Sequence, residues 1–357
     1  MKPKFQANCL PTLIGSLPME DHESALKLVM DYTPEIPLWV QLPMYREEGM
    51  MVQFLEGLPG VIRRFDKTFI DMDDTGVEAD MLQFYEAYLA IEEGREDLEN
   101  SRFSLTSASA KGFFTLMNKV GAFPSPPAAI KGQITGPITL GTGLHDQNEK
   151  AIFYNKQLRD MLVKHIAMKA RWQVRELSKF KRPVILFFDE PALTGFGSSA
   201  FISISKSDVA ACFDEVIAAV HAEGGLAGIH VCANAEWSIL LESKVDIISF
   251  DAYAFFDRFL LYPELIKRFI EAGNILALGI VPTLNAEDVE RETTGSLLTQ
   301  LEDRISRLEK TIGINRKILL SQTLITPSCG TGSLSLDDAI KVLKMTKELS
   351  QKMRNKL

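Results

Sequence analysis

The tripeptide His230-Val231-Cys232 sets an imidazole and a thiol on one side of an extended segment, because alternate residues of a strand share a face. A second thiol, Cys329, stands in Thr326-Pro327-Ser328-Cys329-Gly330-Thr331-Gly332, a stretch of small and turn-forming residues that reads as a loop. Between them, Asp251 ends the largely apolar run 245–250. Zinc, a borderline-soft ion, takes sulfur, imidazole nitrogen and carboxylate oxygen in tetrahedral sites. A thiolate-rich set with one replaceable ligand suits a metal that activates a thiol substrate. His230, Cys232, Asp251 and Cys329 are therefore candidate metal ligands. Each has a plainer reading, since free cysteines are among the most often buried residues and a strand-end carboxylate commonly pairs with a Lys or Arg. Placement within the fold discriminates between the two.

Short, apolar, β-branched-rich runs alternate with helical patterns at 10–16, 37–42, 128–135, 183–189, 226–232, 245–251, 275–281 and 318–324. Near-continuous apolarity is what strands covered on both faces require. The clearest helix is 207–222, with Ser207 as its cap and Gly224-Gly225 as its stop. Strands separated by helices in this number predict an α/β chain, a (β/α)8 TIM barrel of one domain spanning 1–357. Residues 43–127 are far more than a barrel connection needs and predict an insertion after strand 2 that forms a lid subdomain. It holds a turn at Gly57-Leu58-Pro59-Gly60, helices near 78–93 and 110–120, and a stiff exit Pro124-Ser125-Pro126-Pro127. Barrel enzymes work at the C-terminal ends of their strands, where Ser16, Asp189, Glu190, His230, Cys232 and Asp251 all fall, with Cys329 just past strand eight. That convergence favours the metal reading.

Composition narrows the classes. Of 357 residues, 46% are hydrophobic and 24% charged, as in a globular protein with a full core; only the basic tail 352–357 is expected to be disordered. A net charge of −8 argues against a nucleic-acid surface. There is no apolar run of membrane-spanning length, and Met1-Lys2-Pro3-Lys4-Phe5-Gln6 lacks the apolar core of a signal peptide, so a cytoplasmic location without membrane partners is expected. Four scattered cysteines are too few for a disulfide framework. Cys212 lies with Val209, Val216 and Val220 on one helical stripe and reads as core.

Along most of its length the chain resembles the C-terminal catalytic half of cobalamin-independent methionine synthase, within the superfamily that includes uroporphyrinogen decarboxylase and corrinoid methyltransferases. Ile14-Gly15-Ser16 is similar to that family's first-strand motif, which holds the homocysteine carboxylate, and Thr135-Gly136-Pro137-Ile138-Thr139 to its third-strand motif. Asp189-Glu190-Pro191-Ala192-Leu193 is similar to a motif whose aspartate takes the substrate amino group. His230, Cys232 and Cys329 fall on the family's zinc positions, and Asp251 falls where it has a glutamate ligand. The resemblance implies a zinc-dependent thiol methyltransferase. In it Ile14, Gly15, Ser16 and Asp189 bind substrate; of the candidate catalytic carboxylates Asp189 and Glu190, the second either supports Asp189 or is a buried strand-end acid. The family's second-strand glutamate has no clear counterpart in Trp39-Val40-Gln41-Leu42-Pro43, although Glu47 and Glu48 follow closely.

Departures from the family concern the methyl donor. Its folate-stacking tryptophan has no counterpart in the aromatic-free stretch 136–143, a folate-contacting glutamate is replaced around Gly195, and Gly279-Ile280-Val281-Pro282-Thr283-Leu284-Asn285 lacks the proton-donating histidine. Methyl transfer from the N5 of a folate leaves a poor nitrogen anion unless a proton arrives, whereas cob(I)alamin leaves unprotonated. A methyl corrinoid, free or on a corrinoid protein, is the expected donor and homocysteine the expected acceptor. Four alternatives stay open: a coenzyme M-like thiol as acceptor, a folate-dependent methionine synthase, a zinc-free uroporphyrinogen decarboxylase-like lyase, and a non-catalytic binding or corrinoid-docking module with a structural zinc.

Overall fold

In the computed structural model, which describes residues 5–196, 201 and 203–357, an antiparallel hairpin precedes a six-stranded parallel sheet in sequential order. The hairpin is β1 (Val61–Arg64) and β2 (Lys67–Ile70). The sheet comprises β3 (Ile130–Thr135), β4 (Val184–Asp189), β5 (Leu226–Val231), β6 (Ile247–Phe250), β7 (Ile275–Val281) and β8 (Thr323–Pro327). Every residue of β3, β4, β6, β7 and β8 is buried, which is why their sequences read as apolar runs rather than alternating ones. The register lines up Thr135, Asp189, His230 and Ser249 in one row across β3 to β6.

The runs 10–16 and 37–42 are not regular strands. They make isolated parallel bridges, Pro11 to Ile325, Ser16 to Gln41 and Leu38 to Lys131. Pro11 and Pro37 have no N–H to give to a ladder. Side chains from β3 supply other anchors: Lys131 Nζ donates to the Ile14 carbonyl at 2.6 Å, and Gln133 Nε2 to the Trp39 carbonyl at 2.7 Å. A separate apolar cluster that includes Leu10, Ile36, Ala129, Ile185, Phe187, Ile247, Ala277 and Leu324 joins these segments to the strands.

Three expectations shift. Residues 318–321 of the expected eighth run fall in the helix Arg316–Ser321, started by Asn315, whose side chain accepts from Lys317 N; β8 begins only at Thr323. Three consecutive apolar residues, Ile318 to Leu320, suit a helical turn that buries Leu319 and Leu320 as well as a strand. The helix expected at 207 starts with Ser205 as cap, because Ser205 and Asp208 form a reciprocal capping box. Residues 352–354 of the basic tail complete the helix Leu336–Arg354, with Met353 buried. Cys212 packs in the core beside Val209, Val216 and Val220 as its helical stripe predicts. Met1-Lys2-Pro3-Lys4 lie outside the described residues.

Residues 43–127 contain β1 and β2, whose hairpin escaped the sequence reading, and the helices Val77–Glu92 and Lys111–Lys119. Gly57 turns the chain with φ +87°, where a Cβ would stand 2.1 Å from the Arg102 carbonyl oxygen. The segment packs on the long helix Lys156–Ser178: Phe113 lies against Trp39 and Trp172, and Lys169 Nζ donates to the Ser104 carbonyl. Among the described residues no helix is long and apolar enough to cross a membrane.

Candidate metal centre and substrate cavity

His230, the fifth residue of β5, is buried, and its Nδ1 lies 3.0 Å from Ser249 Oγ on the adjacent strand. With Nδ1 engaged, Nε2 is left buried without a hydrogen-bond partner. Cys232, two residues on, shares its face. The loop after β8 brings Cys329 to meet them, and the potential ligand atoms of the three all lie within 4.8 Å of one another. Burial, reinforced by the Lys131 charge, lowers His230 to about 3, so the imidazole is neutral and able to ligate. The neighbouring thiol of Cys329 pushes Cys232 down, and that of Cys232, together with burial, pushes Cys329 up. A donor set of one imidazole and two thiols, with an orphaned nitrogen facing the sulfurs, fits zinc.

These residues form one wall of a cavity of about 340 Å³, lined also by Ile14, Gly15, Ser16, Gln41, Glu48 and Asp189. Asp189 ends β4 and is 8% exposed, with its Oδ1 unpartnered. Burial pushes its carboxyl up to about 7, and the Lys131 ammonium pulls the other way. The loop of Cys329 is locked against the first segment, since Ser16 Oγ accepts from Gly332 N–H and the Ser16 carbonyl from Thr331 N–H. Cβ atoms at Gly330 and Gly332 would stand 2.2 and 2.9 Å from the Ser16 side chain, so both glycines are needed for that approach.

Asp251 and Glu190 are placed differently from the other candidates. Asp251 follows β6 and is buried, but its Oδ1 accepts from Ala254 N at 2.9 Å, and it is neither in the three-residue ligand cluster nor on the cavity wall. Burial raises it to about 6, opposed by the backbone donors of Ala254 and Tyr253. Glu190 faces away from the cavity lining and clasps the third-strand motif. Its carboxylate accepts from Ile138 N, Thr139 N and Thr139 Oγ1, at the N-terminus of the helix Pro137–Gly143. Burial pushes it up to about 7 while these donors favour the anion. A Cβ at Gly136 would stand 2.2 Å from Glu190 Oε1, which explains the glycine of that motif.

One cavity residue, Glu48, and one buried residue behind Ile14, Lys131, were not assigned from sequence. Glu48 reaches the wall from the start of segment 43–127, held by His22 Nε2 at 2.6 Å and Leu42 N at 2.7 Å. Lys131 is fully buried beneath Ile14. The proximity of Glu47 and Glu48 to the second run was the only hint of the former. An interior lysine amid apolar residues was the hint of the latter, because lysine is almost never fully buried unless paired. At Gly143, where the resemblance expects a stacking aromatic nearby, a Cβ would stand 2.5 Å from Met51 Cε. Leu284 is 60% exposed.

No protein-family model matches the sequence, and no curated protein matches it. Among solved structures, the fold is similar to that of a B12-independent methionine synthase from Shewanella sp. W3-18-1 in complex with selenomethionine, with TM-score 0.55 and 15% identity over 98% of both chains. A module of a pneumococcal exo-β-D-N-acetylglucosaminidase superposes at TM-score 0.45 and 10% identity over 96% of this chain and 85% of that one, too loosely to bear on the fold. The chain thus has an α/β fold, built on a parallel six-stranded sheet, whose overall shape is similar to that of the Shewanella enzyme.

Proposed function

We propose that the protein is a zinc-dependent methyltransferase that methylates a thiol amino acid, homocysteine, from a methyl corrinoid. The observation that carries this reading is a pair of buried, unpartnered atoms on one cavity wall, His230 Nε2 and Asp189 Oδ1. The first calls for a metal shared with Cys232 and Cys329, and the second for a donor on the substrate such as an ammonium. His230, Cys232 and Cys329 would hold the zinc, which when bound would supply Lewis-acid activation of a substrate thiol. Asp189 then orients the amino group, and Ile14, Gly15 and Ser16 offer backbone and hydroxyl groups to a carboxylate. Asp251 remains a candidate fourth ligand only if its bond to Ala254 N gives way.

The reading extends to the fold: the single bridges at Pro11, Ser16 and Leu38 support an eight-stranded closure, with residues 43–127 covering its mouth. Met51 beside Gly143, with no aromatic there, supports an open mouth rather than a pterin slot. A second reading, a methylfolate donor, is favoured by the B12-independent enzyme whose fold is similar. Side-by-side assays of the zinc-loaded protein with homocysteine, using methylcobalamin and methyltetrahydrofolate, decide between them. Turnover with the corrinoid alone is expected. Turnover with folate alone overturns the donor, and failure to bind zinc overturns the reaction class.

A further inference from the structure

The fully buried ammonium of Lys131 has no part in the chemistry above. It donates to the Ile14 carbonyl at 2.6 Å, reaches toward Gln133 Oε1 at 3.5 Å, and stands 4.6 Å from the centre of the Phe187 ring. Phe187 and Asp189 are alternate residues of β4 and share its face, so the ammonium and the Asp189 carboxylate sit in the same interior. Ile14 opens the wall 14–16, which lines the cavity and has only isolated bridges to neighbouring segments. A buried charge is costly and is retained where it fixes something a neutral side chain does not.

We propose that Lys131 is a positioning residue of the cavity: it fixes the wall 14–16 through the Ile14 carbonyl and faces Asp189 as its buried counter-charge, so that the cavity selects an amino-acid thiol over a plain alkanethiol. The proposal rests on the reading of the cavity as an amino-acid-thiol site. A neutral residue at 131 leaves the Ile14 carbonyl without its donor and Asp189 without its counter-charge. Both losses act on the amino-acid end of the ligand, and neither acts on its sulfur.

The test is calorimetric titration of zinc-loaded wild type and Lys131→Met with homocysteine and with propane-1-thiol, alongside zinc content and the zinc-edge spectrum. Lys131→Met is expected to weaken homocysteine about tenfold or more, the worth of one charge-assisted contact. Propane-1-thiol affinity, zinc content and spectrum should stay unchanged. Equal loss for both thiols, or unchanged homocysteine affinity, overturns the proposal. If the single variant does not fold, the double variant Lys131→Met/Asp189→Asn removes both buried charges and is compared with Asp189→Asn. Weaker homocysteine binding by the double variant supports the Ile14 anchor, and equal binding overturns it. Wild type that binds no homocysteine overturns the amino-acid-thiol reading as well, which separates the two failures.

Discussion

The hydroxyl of Ser16 accepts a hydrogen bond from the backbone N–H of Gly332 at 3.2 Å, joining two segments 316 residues apart at the cavity wall. The contact ties the Cys329 loop to the first segment, beside a second one in which the Ser16 carbonyl accepts from Thr331 N–H. Gly330→Ala should break it, because the added methyl meets Ser16 Oγ at 2.2 Å. Overpacking of this kind costs about 1–3 kcal/mol, or else displaces the loop. Chemical denaturation and zinc competition should show lost stability or at least tenfold weaker metal binding. Gly121→Ala, with nothing within 4 Å of its Cβ, should show neither.

About one zinc per chain is expected in the purified protein, and Cys232→Ser or Cys329→Ser should remove most of it, since two soft ligands are too few to hold the ion. Asp251→Ala should retain the metal while losing about 1 kcal/mol from the bond to Ala254 N. Metal analysis of the three variants after dialysis checks this. Metal loss in the Asp251 variant would place that carboxylate among the ligands.

Acid should destabilise the metal-free protein partly through His230. Its folded pKa, depressed to about 3, lies below the ordinary value of 6.5, so the folded state binds fewer protons than the unfolded one between these limits. The stabilisation is fully present above about 6.5 and is lost as pH falls toward 3. Denaturation midpoints of wild type and His230→Asn across this range should converge as pH falls. Parallel curves would mean that the imidazole is not held neutral by burial. His165, also depressed by burial, contributes a slope of the same sign to both proteins.

Glu190→Gln should act on stability rather than on the ligand. An amide cannot accept from Ile138 N, Thr139 N and Thr139 Oγ1 with both of its polar atoms, so one buried donor loses its partner at a cost of about 1–3 kcal/mol. Denaturant titration should show that loss while homocysteine affinity stays within about twofold. A large fall in turnover of the folded variant would instead make Glu190 catalytic.

The sequence by itself carried the parallel α/β class, the five apolar runs that became β3 to β7, and the pairing of His230 with Cys232. All of these follow from local periodicity: runs covered on both faces, and two residues two positions apart at a strand end. The fate of the first two runs was not legible, because Lys131 and Gln133 anchor them from β3 across more than ninety residues. The eighth run slipped because three consecutive apolar residues fit a helical turn as well as a strand. Tertiary structure alone decided the division of labour among the carboxylates. Asp189 and Glu190 are neighbours in sequence, yet a strand end turns successive side chains to opposite sides. One lines the cavity with a free oxygen, and the other caps the helix Pro137–Gly143. Glu48 entered the wall by the same logic, through a fold-back onto His22 that has no local sequence pattern.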